Sequence, residues 1–522
     1  MAKKLLLSGN EAVAMAAEYC KVNLGVGYPG TPSSEILDEF SKLGGKAEWA
    51  PNEKVALEVA IGGAFAKGRT MATMKHVGVN VAADPLFTIA YSGVPGGLVL
   101  ISADDPGLAS SQNEQDNRRY AISAGVPMFE PASSQECYDF LIKAFELSEK
   151  YKTLVLFRMT TRVCHSKTLV TPREDNYAAA VISYEKDAKS NVMIPAYARI
   201  AHRKMRNRLA EIAAFNETSE FVVEKMRSTE VGIIASGISY MHAEDAAPEA
   251  SILKIGLTYP LPLERIRNFV SKVKKCYVIE EGDPIVTETC LANGIQVIGK
   301  NEMYRYGELN VNRVRRILAE DTTPEAAPVP GKPPQLCVGC PHRRSYEGMK
   351  ELDLIVAGDI GCYTLGVLPP FEAVHTCVCM GASITTGLGM RHVLPESEAR
   401  RVVSVIGDST FWHTGINGIV EMVYNRPATG HVVIILDNSI TAMTGMQEHA
   451  GTGYHLDNSP SKKLVIEDVV KAMGVDNVDI IDSTADYDAY VELLSKRLAS
   501  NDLSVVIVRR PCILGLVKRK GK

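Results

Sequence analysis

At 522 residues the chain exceeds what one hydrophobic core organises, so about two to four domains are expected. A net charge of −4, a pI near 6.3 and 46% hydrophobic residues describe an ordinary globular chain. They argue against a nucleic-acid binder, which carries a concentrated positive field.

Taken in chain order, "MAKKLLLSGNEA" carries two lysines but only three leucines before polar residues return, so it does not read as a secretory signal. Residues 85–103 form an uncharged window nearly long enough to cross a bilayer, yet "SGVPGG" interrupts it. It reads instead as helix, turn and the buried strand "LVLIS", and no membrane segment is expected. Strand-like runs then alternate with helical sequence: "TLVLF", "VGIIAS", "CYVIEE", "VVSVIG", "HVVIIL" and "LSVVIV". This is the pattern of parallel sheets wrapped by helices. The basic run "HRKMRNR" at 202–208 reads as a solvated helix face. Five prolines in "TTPEAAPVPGKPPQ" mark a linker at 322–335. The expected class is α/β, with three doubly wound parallel-sheet units at 1–180, 229–321 and 336–522, and a helical linker at 181–228. Eleven cysteines in a long chain point to a reducing, cytoplasmic setting, where they serve as core fillers, ligands or redox centres.

The chemistry concentrates between Gly407 and Gly445. In "VVSVIGDST" a buried strand ends at Gly407, placing Asp408 where α/β sheets bind ligands. The helical "GINGIVEMVYN" follows, so its first amides face that position. A second buried strand, "HVVIILDN", ends on Asp437 and Asn438. Asp408 and the Asn438 amide oxygen are hard donors suited to Mg²⁺. A Gly-Asp pair alone would be an ordinary strand-to-helix turn; the second strand and its Asp-Asn make a ligand site the better reading.

This segment resembles the thiamin-diphosphate motif, which begins Gly-Asp-Gly and ends in Asn about thirty residues on; Ser409 replaces the last glycine. The resemblance implies Mg²⁺ held by Asp408, Asn438 and the Ile440 carbonyl, with Gly407 and Ser409 lining the cofactor. Such enzymes hold the cofactor between a diphosphate-binding and a pyrimidine-binding domain, the latter supplying a carboxylate to the aminopyrimidine. In "WAPNEKVALEVAIGGAFAKGRTMATMKHVG", Glu53 is expected to take that role, ahead of a helix whose "GGA" permits close packing. Glu58 is its rival, and its plain alternative is a helix-face carboxylate.

"GYPGTPSSEI", "NEKVALEVA", "SSQNEQDNRRYA", "LCVGCPHRRS", "GDIGCYTLG" and "CMGAS" together resemble the large-subunit family of the indolepyruvate:ferredoxin oxidoreductases, among the 2-oxoacid:ferredoxin oxidoreductases. The likeness spans nearly the whole chain. It implies oxidative decarboxylation of aromatic 2-oxoacids, with coenzyme A taking the acyl group and ferredoxin the electrons. It further implies a small (beta) partner subunit in a hetero-oligomer built on a dimer of large subunits. By the same resemblance Thr31 bonds the substrate carboxylate, though a Thr-Pro turn explains it as well, and Met380 and Gly381 in "CMGAS" contact the cofactor. Cys337, Cys340, Cys362 and Cys512 are expected to hold a [4Fe-4S] cluster, with Cys377 and Cys379, on one face of a strand-like "HTCVCMG", in reserve. Small hydrophobes beside turns are the alternative for these cysteines.

Two departures from the family stand out. The sequence ends at "VKRKGK" without the family's ferredoxin-like tail, so either the chain was shortened or a separate protein takes the electrons. Met443 and Asp104 stand where pyruvate-specific relatives place Asn and Arg, which favours a softer pocket for an aromatic ring. The competing functions are a non-redox thiamin carboligase or decarboxylase, and a non-catalytic subunit that binds thiamin diphosphate within a larger assembly.

Overall fold

The computed structural model describes residues 4–326 and 334–520, so residues 327–333 of the proline-rich linker lie outside the described residues. The chain forms two compact units, Met1–Ala326 and Ala327–Lys522.

The first unit is built on a seven-stranded and a four-stranded sheet. At the centre of the larger sheet lie Leu98–Asp104, Leu154–Thr160 and Thr70–Lys75, parallel and buried throughout apart from the partly exposed Lys75. Strands covered on both faces must be apolar along their length, which is why they read as unbroken hydrophobic runs. Each fully buried Val, Leu or Ile side chain contributes about 1.5–3 kcal/mol. The window at 85–103 is, as expected, a helix (Ala83–Ser92), a turn and the strand Leu98–Asp104. Among the described residues no helix is long and apolar enough to cross a membrane.

In the smaller sheet Val231–Ala235 pairs in parallel with Ser251–Ile255 and Lys275–Ile279, while Val222–Lys225 runs antiparallel at the edge. The segment at 181–228 therefore contains a strand as well as a helix, and only Pro195–Asn216 is a long helix within it. Leu257–Tyr259 leaves the smaller sheet's stretch of chain and pairs antiparallel with Met128–Phe129, closing one edge of the seven-stranded sheet.

A buried charge network joins the two sheets. Arg118 pairs with Asp116 and Glu280 at 2.6 Å each, and Arg158 with Asp104 at 2.6 Å and with Glu130. Arg118 also donates to the carbonyls of Glu281 and Asp283, both at 2.7 Å.

The second unit carries one five-stranded parallel sheet, in the order Ile355–Ala357, Val402–Gly407, His431–Asp437, Leu503–Arg509, Asn477–Ile481. All six residues of Val402–Gly407 and all seven of His431–Asp437 are buried. Their shared register, Gly407 beside Leu436, brings the carboxyl ends of both strands to one edge.

Candidate functional site: three strand ends and a capped carboxylate

Thr31, Glu53, its rival Glu58 and Asp104 fall in the first unit; the remaining candidates fall in the second. In the first unit, Leu24–Gly27 and Ala47–Trp49 are parallel neighbours, and Thr31 and Glu53 follow their carboxyl ends. Asn52 caps the helix Glu53–Phe65 by accepting from the Val55 N–H at 2.9 Å. That places Glu53 in the first turn, where the helix dipole favours a negative charge. Glu53 is 4% exposed. Its rival Glu58 is exposed and pairs with Lys54 on the same helix, an ordinary surface arrangement.

The glycine that makes room for Glu53 is Gly78, outside the "GGA" run. A Cβ at Gly78 would meet the Glu53 Cγ at 2.7 Å and Oε1 at 2.8 Å. The sequence reading missed Lys75 as well. Burial pushes its ammonium below the usual range, while the nearby carboxylates of Asp105 and Glu53 pull the other way. Asp104 is not free to shape a pocket: it accepts from Arg158 Nε at 2.6 Å, Ser102 Oγ at 2.8 Å and the Asn117 N–H at 3.1 Å. It belongs to the buried charge network, a structural role that leaves it no separate part in setting substrate size.

In the second unit Asp408 and Asn438 stand at the ends of adjacent strands, and the Ser439 N–H donates to Asp408 Oδ2 at 2.8 Å, tying the two loops together. The Ser409 N–H donates to Asp408 Oδ1 at 2.9 Å, and the Ser409 and Thr441 hydroxyls lie 2.8 Å apart. Asn438 Oδ1 accepts from the Ile440 N–H at 3.2 Å. Burial raises the Asp408 carboxyl, but His449, 3.2 Å from Oδ2, and the Ser409 N–H outweigh it and hold the group below the usual range. No lysine or arginine pairs with Asp408 among the described residues. The neighbouring Asp437, by contrast, is met by Arg509 at 2.6 Å.

The adjacent strand Ile355–Ala357 leads to Asp359, a residue the sequence reading quoted without giving it a role. Its carboxylate is fully buried and accepts from the N–H groups of Gly381 and Ser383, both at 2.9 Å. It thus caps the helix Ala382–Val393 and fixes Met380 and Gly381, whose part in the site was expected. Thr414 Oγ1 donates to the Met380 carbonyl at 2.8 Å. Gly381 has φ +85° and a Cβ there would lie 1.9 Å from Thr414 Oγ1, so only glycine fits. His342 opens the helix His342–Glu351 and meets Asn438 Nδ2 at 3.3 Å; burial lowers its pKa to about 4.

The four cysteines gather around the same edge. The Cys512 N–H donates to the Asn438 carbonyl at 3.0 Å, and the Cys340 N–H to the Cys337 carbonyl at 3.1 Å. Burial, then the neighbouring Cys340, Cys512 and Cys337, push the Cys362 thiol up to about 11. Cys340 is likewise pushed up to about 11, by burial and, among its neighbours, Cys337 and Cys512. Each thiol is therefore in electrostatic reach of others in the set. Among the described residues no three His, Cys, Asp or Glu side chains are gathered as tightly as a single metal ion requires. Cys377 and Cys379 are exposed, and their segment is not a strand: only an isolated bridge joins Thr376 to Ala357. Met443 is half-exposed in the loop after Ile440.

The donor set at the strand ends fits a hard cation. Asp408 is a buried acid with no lysine or arginine partner among the described residues, and the Asn438 and Ile440 oxygens are the carbonyl type that Mg²⁺ takes.

Residues 15–233 match the family described as pyruvate flavodoxin/ferredoxin oxidoreductase, thiamine diP-binding, and residues 359–508 match the thiamine pyrophosphate enzyme C-terminal TPP-binding domain. A 2-oxoglutarate:ferredoxin oxidoreductase from Magnetococcus marinus shares the fold, with TM-score 0.53 at 17% identity over 61% of this chain and 65% of that one. The class is thus that of the thiamin-diphosphate-dependent 2-oxoacid oxidoreductases. The indolepyruvate oxidoreductase subunit IorA of Archaeoglobus fulgidus is 40% identical, covering 98% of this chain and 87% of that protein. Its counterpart in Methanothermobacter marburgensis is 38% identical over 99% and 88%. The ketoisovalerate oxidoreductase subunit VorB of the same organism is 28% identical over only 50% of this chain. The chain belongs to the IorA family.

Proposed function

We propose that this chain is the thiamin-diphosphate-binding subunit of an enzyme that oxidatively decarboxylates indolepyruvate and other arylpyruvates to acyl-CoA, with ferredoxin as electron acceptor. The observation that carries the reading is the pair of oxygen ligands, Asp408 and Asn438, on adjacent strand ends without a lysine or arginine to neutralise Asp408. The relatives' names supply the substrate, and the family's chemistry supplies coenzyme A and ferredoxin.

Thiamin diphosphate, when bound, supplies the carbon nucleophile and electron sink that decarboxylating a 2-oxoacid requires. Asp408, Asn438 and the Ile440 carbonyl would hold Mg²⁺ on the diphosphate, with Gly407, Ser409, Met380 and Gly381 lining it. Glu53 would hold a proton against the aminopyrimidine nitrogen, and its burial keeps competing water away. Thr31 would donate to the substrate carboxylate. Residues 1–180 would form the pyrimidine-binding domain, 229–321 a transketolase C-terminal-like domain and 336–522 the diphosphate-binding domain. Cys337, Cys340, Cys362 and Cys512 would hold a [4Fe-4S] cluster, supported by the mutual electrostatic reach of their thiols. The setting proposed is a cytoplasmic hetero-oligomer built on a dimer of this chain, with a small beta subunit.

Two measurements test the reading. The chain should bind thiamin diphosphate only with Mg²⁺ and, reconstituted with the small subunit, should turn over indolepyruvate or phenylpyruvate at higher kcat/KM than pyruvate. Better turnover of pyruvate would remove the aromatic assignment, and carboligation without electron release would favour the non-redox reading. Anaerobically prepared chain should hold about four irons, lost in Cys340→Ala and Cys512→Ala without loss of thiamin binding. Iron-free chain with full ferredoxin reduction would remove the cluster.

A further inference from the structure

The larger sheet of the first unit has a second concavity, at the edge where its strands begin rather than end. Gly93, Val94 and Pro95 precede the strand Leu98–Asp104, and Tyr151 and Lys152 precede Leu154–Thr160. Together with the helix Pro195–Asn216 and the stretch around Glu185–Asn191 they border a partly open cavity of about 940 Å³. That volume lies at the upper end of the range for small-molecule sites, roughly 300–1,000 Å³. It sits on the edge of the sheet opposite the strand ends followed by Thr31 and Glu53, and nothing in the function proposed above uses it.

Its charge is lopsided. Five cations line it, Lys67, Lys152, Lys189, Lys204 and Arg208, against two carboxylates, Glu185 and Asp187. Lys67 pairs with Glu185 at 2.5 Å. Asp187 is occupied in capping its own short helix, accepting from the Ser190 N–H at 3.1 Å. Lys152, Lys189, Lys204 and Arg208 make no close ion pair among the described residues, although Glu185 lies in electrostatic reach of Lys152 and Asp187 of Lys204. Arg208 is held rigidly: its guanidinium donates to the carbonyls of Ala90 at 2.5 Å and Lys152 at 3.2 Å. Burial lowers its pKa, and the Glu211 carboxylate nearby only partly offsets the lost water. A protein has little structural reason to gather like charges around a hollow, because mutual repulsion destabilises the empty form.

The remaining wall is aromatic. Phe65, Tyr91, Tyr151 and Tyr197 face the cavity. Tyr91 is already held flat by the His202 imidazole, stacked at 4.9 Å with planes 3° apart. Tyr91 also packs against the hydrophobic core beneath the larger sheet, so the part of the ring that lines the cavity is held in one orientation and can meet a planar group at little entropic cost.

Cations on one side and flat rings on the other select a ligand that is anionic at one end and planar at the other. We propose that this cavity is a binding site for a nucleoside polyphosphate, with Lys189, Lys204 and Lys152 meeting the phosphates and Tyr91 stacking on the base. A site so far from the strand ends would act as a regulatory site rather than a substrate site.

The test uses the full chain saturated with thiamin diphosphate and Mg²⁺, so that phosphate binding at the strand ends is already satisfied. Isothermal titration with ATP should show one site per chain, weakening as ionic strength rises. The surface variant Lys189→Glu/Lys204→Glu should lower ATP affinity by at least about tenfold while thiamin diphosphate affinity stays unchanged. Tyr91→Ala should weaken ATP but leave inorganic tripolyphosphate as it was. The absence of ATP binding, or ATP binding that the lysine variant does not alter, overturns the site. Equal losses for ATP and tripolyphosphate in Tyr91→Ala overturn the nucleoside assignment.

Discussion

Two buried groups of charge in this molecule look alike in the sequence and behave differently in space. In the first unit, Asp104, Asp116, Glu130 and Glu280 are met at close range by the guanidinium groups of Arg118 and Arg158. In the second, Asp408 is as deeply buried but meets an imidazole, two backbone N–H groups and the Asp437 carboxyl, with no lysine or arginine beside it among the described residues. A buried acid met by arginines of the protein is a fastener; a buried acid with no arginine or lysine beside it is, on the function proposed above, a socket for a cation. Burial alone does not separate the two, and the partner does.

That contrast can be broken, beginning with the socket. Asp408→Ala should weaken Mg²⁺-dependent thiamin diphosphate binding by about a thousandfold or more, near 4 kcal/mol, with little change in Tm. Calorimetric titration and a melting curve report the two quantities separately, and retained affinity would make Asp408 a fastener too.

Asp116→Asn should do the reverse. It should lower stability by about 3 kcal/mol, because Arg118 would keep a buried charge with a weakened partner, and leave cofactor affinity alone. The pH dependence sharpens this. Burial raises the Asp116 carboxyl, but Arg118 and Arg158 overcome it and hold the group well below its usual range. Its stabilisation is therefore complete above the unfolded value near pH 4 and is lost as the pH falls further. The variant's denaturation midpoint should fall less steeply than the wild type's below about pH 4. A parallel fall in both would show that Asp116 carries no such stabilisation.

Gly78→Ala probes a geometric requirement. The new methyl would press on the Glu53 carboxylate, costing about 1–3 kcal/mol of stability. Activity in the reconstituted complex should fall by more than the stability loss explains, since Glu53 is displaced. Unchanged activity would show that Glu53 needs no fixed position. Glu58→Gln closes the series: an exposed helical pair with Lys54 is worth about 0.3–0.5 kcal/mol, so stability and turnover should stay within error of wild type. A large loss of turnover there would transfer the catalytic role to Glu58.

The strands were legible because parallel strands buried on both faces leave continuous apolar runs, as in "VVSVIG" and "HVVIIL". The place of Asp408 and Asn438 at adjacent strand ends was legible because each follows directly on such an apolar run. What escaped were relations between residues distant in the chain. Asp359 caps the helix that begins after Gly381, Gly78 makes room for Glu53, and Arg158 occupies Asp104. None of these contacts leaves a periodic or spacing signature. "HTCVCMG" failed for the opposite reason: alternation suggested a strand, but the segment makes only one bridge to its neighbour.

The antiparallel pairing of Leu257–Tyr259 with Met128–Phe129 has a consequence for how the chain is made. The edge formed by Met128–Phe129 leaves the ribosome about 130 residues before the strand that covers it. At roughly 5–20 residues per second, the nascent sheet waits several seconds with that edge open. An uncovered strand edge is a template for pairing with other chains. Synthesis from the N-terminus therefore gives this molecule an interval of vulnerability that ends when Tyr259 clears the exit tunnel, and a fragment stopping before that point would keep the edge open for good.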